Sequence, residues 1–104
     1  MEKQTVIASL AALAQETRLD VFRLLVRGAR SGLSAGTIAE ALDLAPATLS
    51  FHLKELRSAG LVSVERDGRL RIYRPDFEHM NALLAFLTES CCQGVPGSPR
   101  RAAR

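Results

Sequence analysis

Residues 46–60 read PATLSFHLKELRSAG, and this stretch decides the fold. Pro46 suits the first position of a helix, where its missing N–H is not needed, and Gly60 marks the stop. Leu49, Leu53 and Leu56 recur at four- and three-residue steps and make one apolar stripe. Opposite that stripe stand Ala47, Thr48, Ser50, Phe51 and Lys54: small groups, hydroxyls, one ring and one cation. Small and hydroxyl side chains let a helix sit deep in a major groove and meet base edges or phosphates. Phe51 is odd on a plain solvated face but suits thymine methyl groups, and Lys54 and Arg57 suit phosphates on the groove wall. His52 falls between Leu49 and Leu56 and reads as a packed residue donating one structural hydrogen bond.

Upstream, Ser34 can cap a short helix that runs through about Leu42 and packs Ile38 and Leu42 inward. Asp43-Leu44-Ala45 is then a tight connection between two helices. Residues 28–32 contain two glycines and a serine and read as a loop. Before it, Leu19, Phe22, Leu25 and Val26 set a helix over about 17–28. Val6, Ile7, Leu10, Leu13 and Ala14 set another over 4–14.

Downstream, residues 61–74 change from helical to alternating period around Asp67-Gly68. A two-residue loop at Asp67-Gly68 would pair Val64 with Arg71. A three-residue loop, 66–68, pairs Val64 with Leu70 and Val62 with Ile72, and sets Glu65 opposite Arg69. The second register is favoured because it gives one apolar and one charged face. The charged face then carries Arg69 and Arg71 with Arg66 at the tip, where a wing could reach phosphates or the minor groove. Pro75 breaks the strand and Asp76 caps a last helix. Phe77, Met80, Leu84, Leu87 and Cys91 line one side of it, widened by Leu83 and Phe86. The fold class is therefore mainly α with a small β-hairpin, a winged helix-turn-helix, with one domain over 1–92 and a mobile tail over 93–104.

The bulk numbers fit this without proving it. A chain of 104 residues supports one domain with a modest core, so association of subunits is a natural way to bury more apolar surface. Fourteen Lys+Arg against eleven Asp+Glu leave a net charge of only +3, so placement matters more than total. Arg66, Arg69, Arg71 and Arg74 crowd one stretch, and Arg100, Arg101 and Arg104 end the chain. No apolar run approaches the ~20 residues of a membrane span. Residues 6–14 mimic a signal-peptide core, but Glu2 beside Lys3 gives no clear positive region and the helical pattern continues past Gln15. Two adjacent cysteines make no disulfide framework, so the expected compartment is the reducing cytoplasm.

Several stretches together resemble the ArsR/SmtB family of metalloid- and metal-responsive repressors. They are residues 11–14 (AALA) with 17–19 (TRL), 37–42 (TIAEAL), 49–56 (LSFHLKEL) with 59–62 (AGLV), Gly68-Arg69, and Tyr73-Arg74. The resemblance covers about residues 10–90. It implies a homodimer built on the first and last helices, in agreement with their apolar faces, and binding to double-stranded operator DNA released by an inducer.

Family members that sense arsenite often carry a Cys-x-Cys pair beside the helix-turn-helix, and residues 33–37 (LSAGT) have no thiol there. What remains is Cys91-Cys92, similar to a subgroup with a vicinal pair at the C-terminus and a third cysteine that this chain lacks. Trivalent arsenic and antimony are thiophilic, so the pair can hold arsenite, antimonite or a monosubstituted organoarsenical as inducer, with no obligatory cofactor. Other readings stay open. Cys91 is the next core residue after Leu84 and Leu87, with Cys92 incidental. A thiol oxidation switch is disfavoured, because neighbouring Cα atoms lie closer than ~4.4 Å. Divalent metal would use Asp76 and Glu78, then Glu89 and Cys92, where the family's zinc sensors place Asp-x-His and His-x-x-His; the spacing survives but every histidine is gone, and His79 falls off that pattern as a solvated residue. A winged helix used only for protein contacts is a further alternative. A thiol enzyme is disfavoured, since the chain has no Cys-x-x-Cys and neither histidine lies near the thiols in sequence.

Overall fold

The computed structural model describes residues 1–28 and 30–95. Five helices and three strands follow in the order α1 (Lys3–Leu13), α2 (Glu16–Arg27), β1 (Leu33–Ser34), α3 (Ala35–Leu42), α4 (Pro46–Ser58), β2 (Val62–Asp67), β3 (Leu70–Pro75) and α5 (Phe77–Thr88). This is the winged helix-turn-helix architecture, with one short strand, β1, between the loop expected over 28–32 and α3 that the sequence does not announce. Three helices begin where a side chain satisfies an amide that the first turn leaves unpaired. Gln15 accepts from Arg18 N, Ser34 from Thr37 N and Asp76 from His79 N. The α3–α4 turn is tight because Asp43 takes a left-handed φ of 54°, returning its amide to Ala39 and Glu40.

The core lies where α2, α3 and α4 meet the sheet. Val21, Phe22, Leu25, Ile38, Leu49, Leu53, Leu56, Leu61, Val62 and Tyr73 fill it. In α2 the buried stripe is Val21, Phe22 and Leu25, while Leu19 and Val26 stay exposed, so the expected apolar side is rotated. In α1 the buried residues are Val6, Ser9 and Ala12, leaving Ile7 and Leu10 outside. In α5 only Leu83 is buried; Leu84 and Leu87 are 52% and 53% exposed. Both terminal helices thus carry two apolar sides, one used within the subunit and one free.

The sheet order is β1-β3-β2 and all pairings are antiparallel. Leu33 pairs with Tyr73 and Ser34 with Ile72, which ties the base of the hairpin to the start of α3. The β2–β3 register departs from both sequence alternatives. Val64 faces Tyr73, Glu65 faces Ile72, Arg66 faces Arg71 and Asp67 faces Leu70, so the two-residue turn is Gly68-Arg69. Gly68 has φ 65° and occupies the first central position, the slot in which a type II′ hairpin favours glycine. Leu70 is 54% exposed rather than facing the core, and Arg69 sits in the turn.

His79 is not solvated. It is half-buried, its Nε2 lies 2.8 Å from the Ser9 hydroxyl, and a Cβ on Gly60 would come within 2.7 Å of its ring. The expected tail over 93–104 lies outside the described residues from position 96 onward, as do Arg100, Arg101 and Arg104. Among the described residues no helix is long and apolar enough to cross a membrane.

Candidate nucleic-acid interface

Helix α4 separates its two sides as its sequence demands. Leu49, His52, Leu53 and Leu56 are buried, and Ala47, Thr48, Ser50, Phe51, Lys54 and Arg57 are exposed. Phe51 is 56% exposed and meets the His52 ring edge-on, with centroids 5.4 Å apart. The N-terminal end of α4 has no side-chain cap. The amides of Ala47 and Thr48 therefore remain available at the positive end of the helix dipole, where an anion is favoured.

The hairpin stands beside this face. One cleft of about 250 Å³ is lined by Ser50, Lys54, Arg57, Arg71 and Tyr73. A second of about 300 Å³ joins Arg57 to Arg66 and Arg71 across Val64. Because Arg66 and Arg71 are direct cross-strand partners on the side of Val64 and Tyr73, the register aims both towards α4. The fold thus gathers Lys54, Arg57, Arg66 and Arg71 around two adjoining clefts that share Arg57 and Arg71, with Glu65 also on the wall of the second. Arg69 lies apart at the turn, which reverses the expected roles of Arg66 and Arg69.

On the other side of the hairpin, Arg74 pairs with Glu65 and donates to the carbonyls of Arg30 at 3.2 Å and Ser31 at 2.9 Å. It braces the wing rather than joining its cationic face. Sequence reasoning also missed Arg18, which donates through Nε to the Ala12 carbonyl at 2.7 Å and through Nη1 to His52 Nδ1 at 3.3 Å. His52 is thus packed as expected, but at Nδ1 it accepts rather than donates. The signal was present: Arg18, Val21, Phe22 and Leu25 share one helical side.

Cys91 and Cys92 are exposed free thiols whose sulfurs lie 2.7 Å apart. They are not on the last helix as expected, since α5 ends at Thr88 and the chain turns through Ser90 (φ 59°) and Cys92 (φ 68°). Cys91 is therefore not a further core residue of α5. The hydrogen bond to Cys92 raises the Cys91 thiol above the ordinary thiol value. Among the described residues, no three His, Cys, Asp or Glu side chains group closely enough to hold a metal ion.

The family described as a helix-turn-helix domain matches residues 13–65. The transcriptional activator HlyU of Vibrio cholerae is 30% identical, over 89% of this chain and 85% of its own length. A protein of Halobacterium salinarum named as an arsenical resistance operon repressor, ArsR, is 34% identical over 81% of this chain and 64% of its own. Among solved structures, the homodimeric winged helix-turn-helix DNA-binding domain Mb0332 of Mycobacterium bovis superimposes with a TM-score of 0.68. It is 33% identical and aligns over 81% of this chain and 75% of that one. With the fold, the α4 face and these relatives in agreement, the chain belongs to the ArsR/SmtB family of winged helix-turn-helix transcriptional regulators.

Proposed function

We propose that the chain acts in the cytoplasm as a homodimeric repressor that inserts α4 into the major groove of operator DNA and is released by a trivalent arsenical. The observation that carries the DNA reading is the pair of adjoining clefts that join Ser50, Lys54 and Arg57 of α4 to Arg66 and Arg71 of the wing. Ala47, Thr48, Ser50 and Phe51 meet base edges and nearby phosphates, and Lys54, Arg57, Arg66, Arg69 and Arg71 meet phosphates or the minor groove. The free apolar sides of α1 (Ile7, Leu10) and α5 (Leu84, Leu87) form the contact between subunits, and the M. bovis domain is described as homodimeric.

The inducer site is Cys91-Cys92. Two exposed thiols on adjacent residues, with their sulfurs in contact, can both turn to one thiophilic centre, and soft As(III) or Sb(III) prefers such ligands. With two protein sulfurs, the third position falls to water, hydroxide or an organic substituent. The turn that carries the pair holds two non-glycine residues at positive φ, an arrangement that costs of order 1–3 kcal/mol each. Chelation therefore acts on a turn that already carries backbone strain, next to the end of α5.

A second reading, a thiol oxidation or persulfide switch, draws on the same sulfur contact; the short Cα separation of adjacent residues weighs against an ordinary disulfide. One experiment separates these readings. The purified protein is bound to duplex fragments flanking its own coding region and titrated with arsenite, antimonite, methylarsenite, zinc and a persulfide donor. Release by the trivalent species alone is the expected result. Absence of salt-dependent duplex binding removes the DNA reading, and release by persulfide alone removes the arsenical one.

A further inference from the structure

A cleft of about 560 Å³ opens between the end of α2, the loop after it, the end of β3 and the start of α5. That volume falls within the range of small-molecule sites. Leu25, Val26, Pro75 and Phe77 give it apolar walls, while Arg30 and Arg74 are the cationic residues that line it. Val26 and Phe77 remain well exposed, so the subunit leaves their apolar area unused. No carboxylate is among the described residues lining the cleft. Arg74 spends three of its five N–H groups, on Arg30 O, Ser31 O and Glu65, and keeps two.

We infer that this cleft is a binding site for a small amphipathic carboxylate, with an aromatic or medium-chain body against Val26 and Phe77 and its charge on Arg30 and Arg74. Guanidinium groups match carboxylates in shape as well as charge, and the apolar walls give the body of the ligand a place out of water. The cleft is separate from the α4 face and from the cysteine pair. Glu65 lies on β2 of the wing, so a carboxylate arriving at Arg74 competes with the ion pair that braces the wing. Binding itself does not depend on the DNA or arsenical readings.

The test is an amide-resolved NMR titration of the full chain with benzoate, octanoate and benzylamine. Benzoate and octanoate are expected to give saturable shifts at Val26, Gly28 and Phe77, and benzylamine none. Arg30→Gln should weaken binding about tenfold, the effect of losing one charge-assisted hydrogen bond. Val26→Trp, at an exposed position, should fill the cleft and abolish it. Shifts that fail to saturate by ~10 mM, the weak end of useful affinity, overturn the proposal. So do saturable shifts with benzylamine, shifts centred on Ile7 and Leu84 instead, or an Arg30→Gln variant that binds as the parent does.

Discussion

Arg18 joins the end of α1 to the buried side of α4: its guanidinium lies 3.3 Å from His52 Nδ1 and 2.7 Å from the Ala12 carbonyl. A guanidinium only donates, so His52 accepts at Nδ1 and carries its proton on Nε2. The orientation of α4 is thus set partly by a side chain from outside it.

Replacing Arg18 by Ala leaves His52 and the Ala12 carbonyl without their donor. The expected cost is about 1–3 kcal/mol of folding stability, read from urea unfolding. Lysine should rescue only part, because a single ammonium cannot reproduce the two-directional fork. An unchanged midpoint in Arg18→Ala would show the tie to be incidental.

The hairpin register makes a selective prediction. Arg66→Ala and Arg71→Ala should each weaken duplex binding at all sequences and lower the salt slope by about 1. Leu70→Ser, on the opposite side of the wing, should alter stability by about 0.5 kcal/mol or less and leave the slope alone. Equal slopes in all three variants would place the wing off the DNA.

For the cysteines, Cys91→Ser with Cys92→Ser should preserve DNA affinity and abolish release by trivalent arsenicals, measured by anisotropy on a labelled duplex. The Cys92 hydrogen bond raises the Cys91 thiol. Its alkylation by iodoacetamide should therefore reach half-maximal rate at a pH above the ordinary thiol value, because only the thiolate reacts. Cys92→Ala, which removes the hydrogen-bond partner, should bring that midpoint down.

Gly60 closes α4 at φ 83°, and an added Cβ would meet the His79 ring at 2.7 Å. Gly60→Ala should cost about 1–3 kcal/mol. His79→Ala loses the Ser9 hydrogen bond, so the penalty of Gly60→Ala is read against His79→Ala alone, where the contact is gone but the backbone strain stays and about 1 kcal/mol should persist. A double variant as stable as His79→Ala would assign the whole penalty to the ring.

Helix order, the α4 stripe and the caps Ser34 and Asp76 were legible because each follows from local spacing, whereas the Gln15 cap of α2 was not. The hairpin register was not. Its far end projects from the body of the subunit, so neither side of Leu70 or Asp67 is buried and alternation there carries no information about pairing. The choice rests on Gly68, which takes the first central slot of the turn. β1 escaped notice because two residues show no period; its trace was Gly32, where a Cβ would fall 2.6 Å from Ile72. For α1 and α5 the spacing identified helices but could not say which apolar side served the subunit's own core. The cysteines were read onto α5 because nothing local announces that the helix stops at Thr88.

That last helix has a consequence for how the regulator behaves as a population. A chain that sinks only Leu83 of α5 into its own interior leaves Leu84 and Leu87 exposed, and in the homodimer proposed above a second copy covers them. Covering them adds a term that grows with the logarithm of protein concentration. Abundance becomes an input alongside any inducer: a cell holding few molecules holds them in their less durable form, and synthesis itself strengthens those already made.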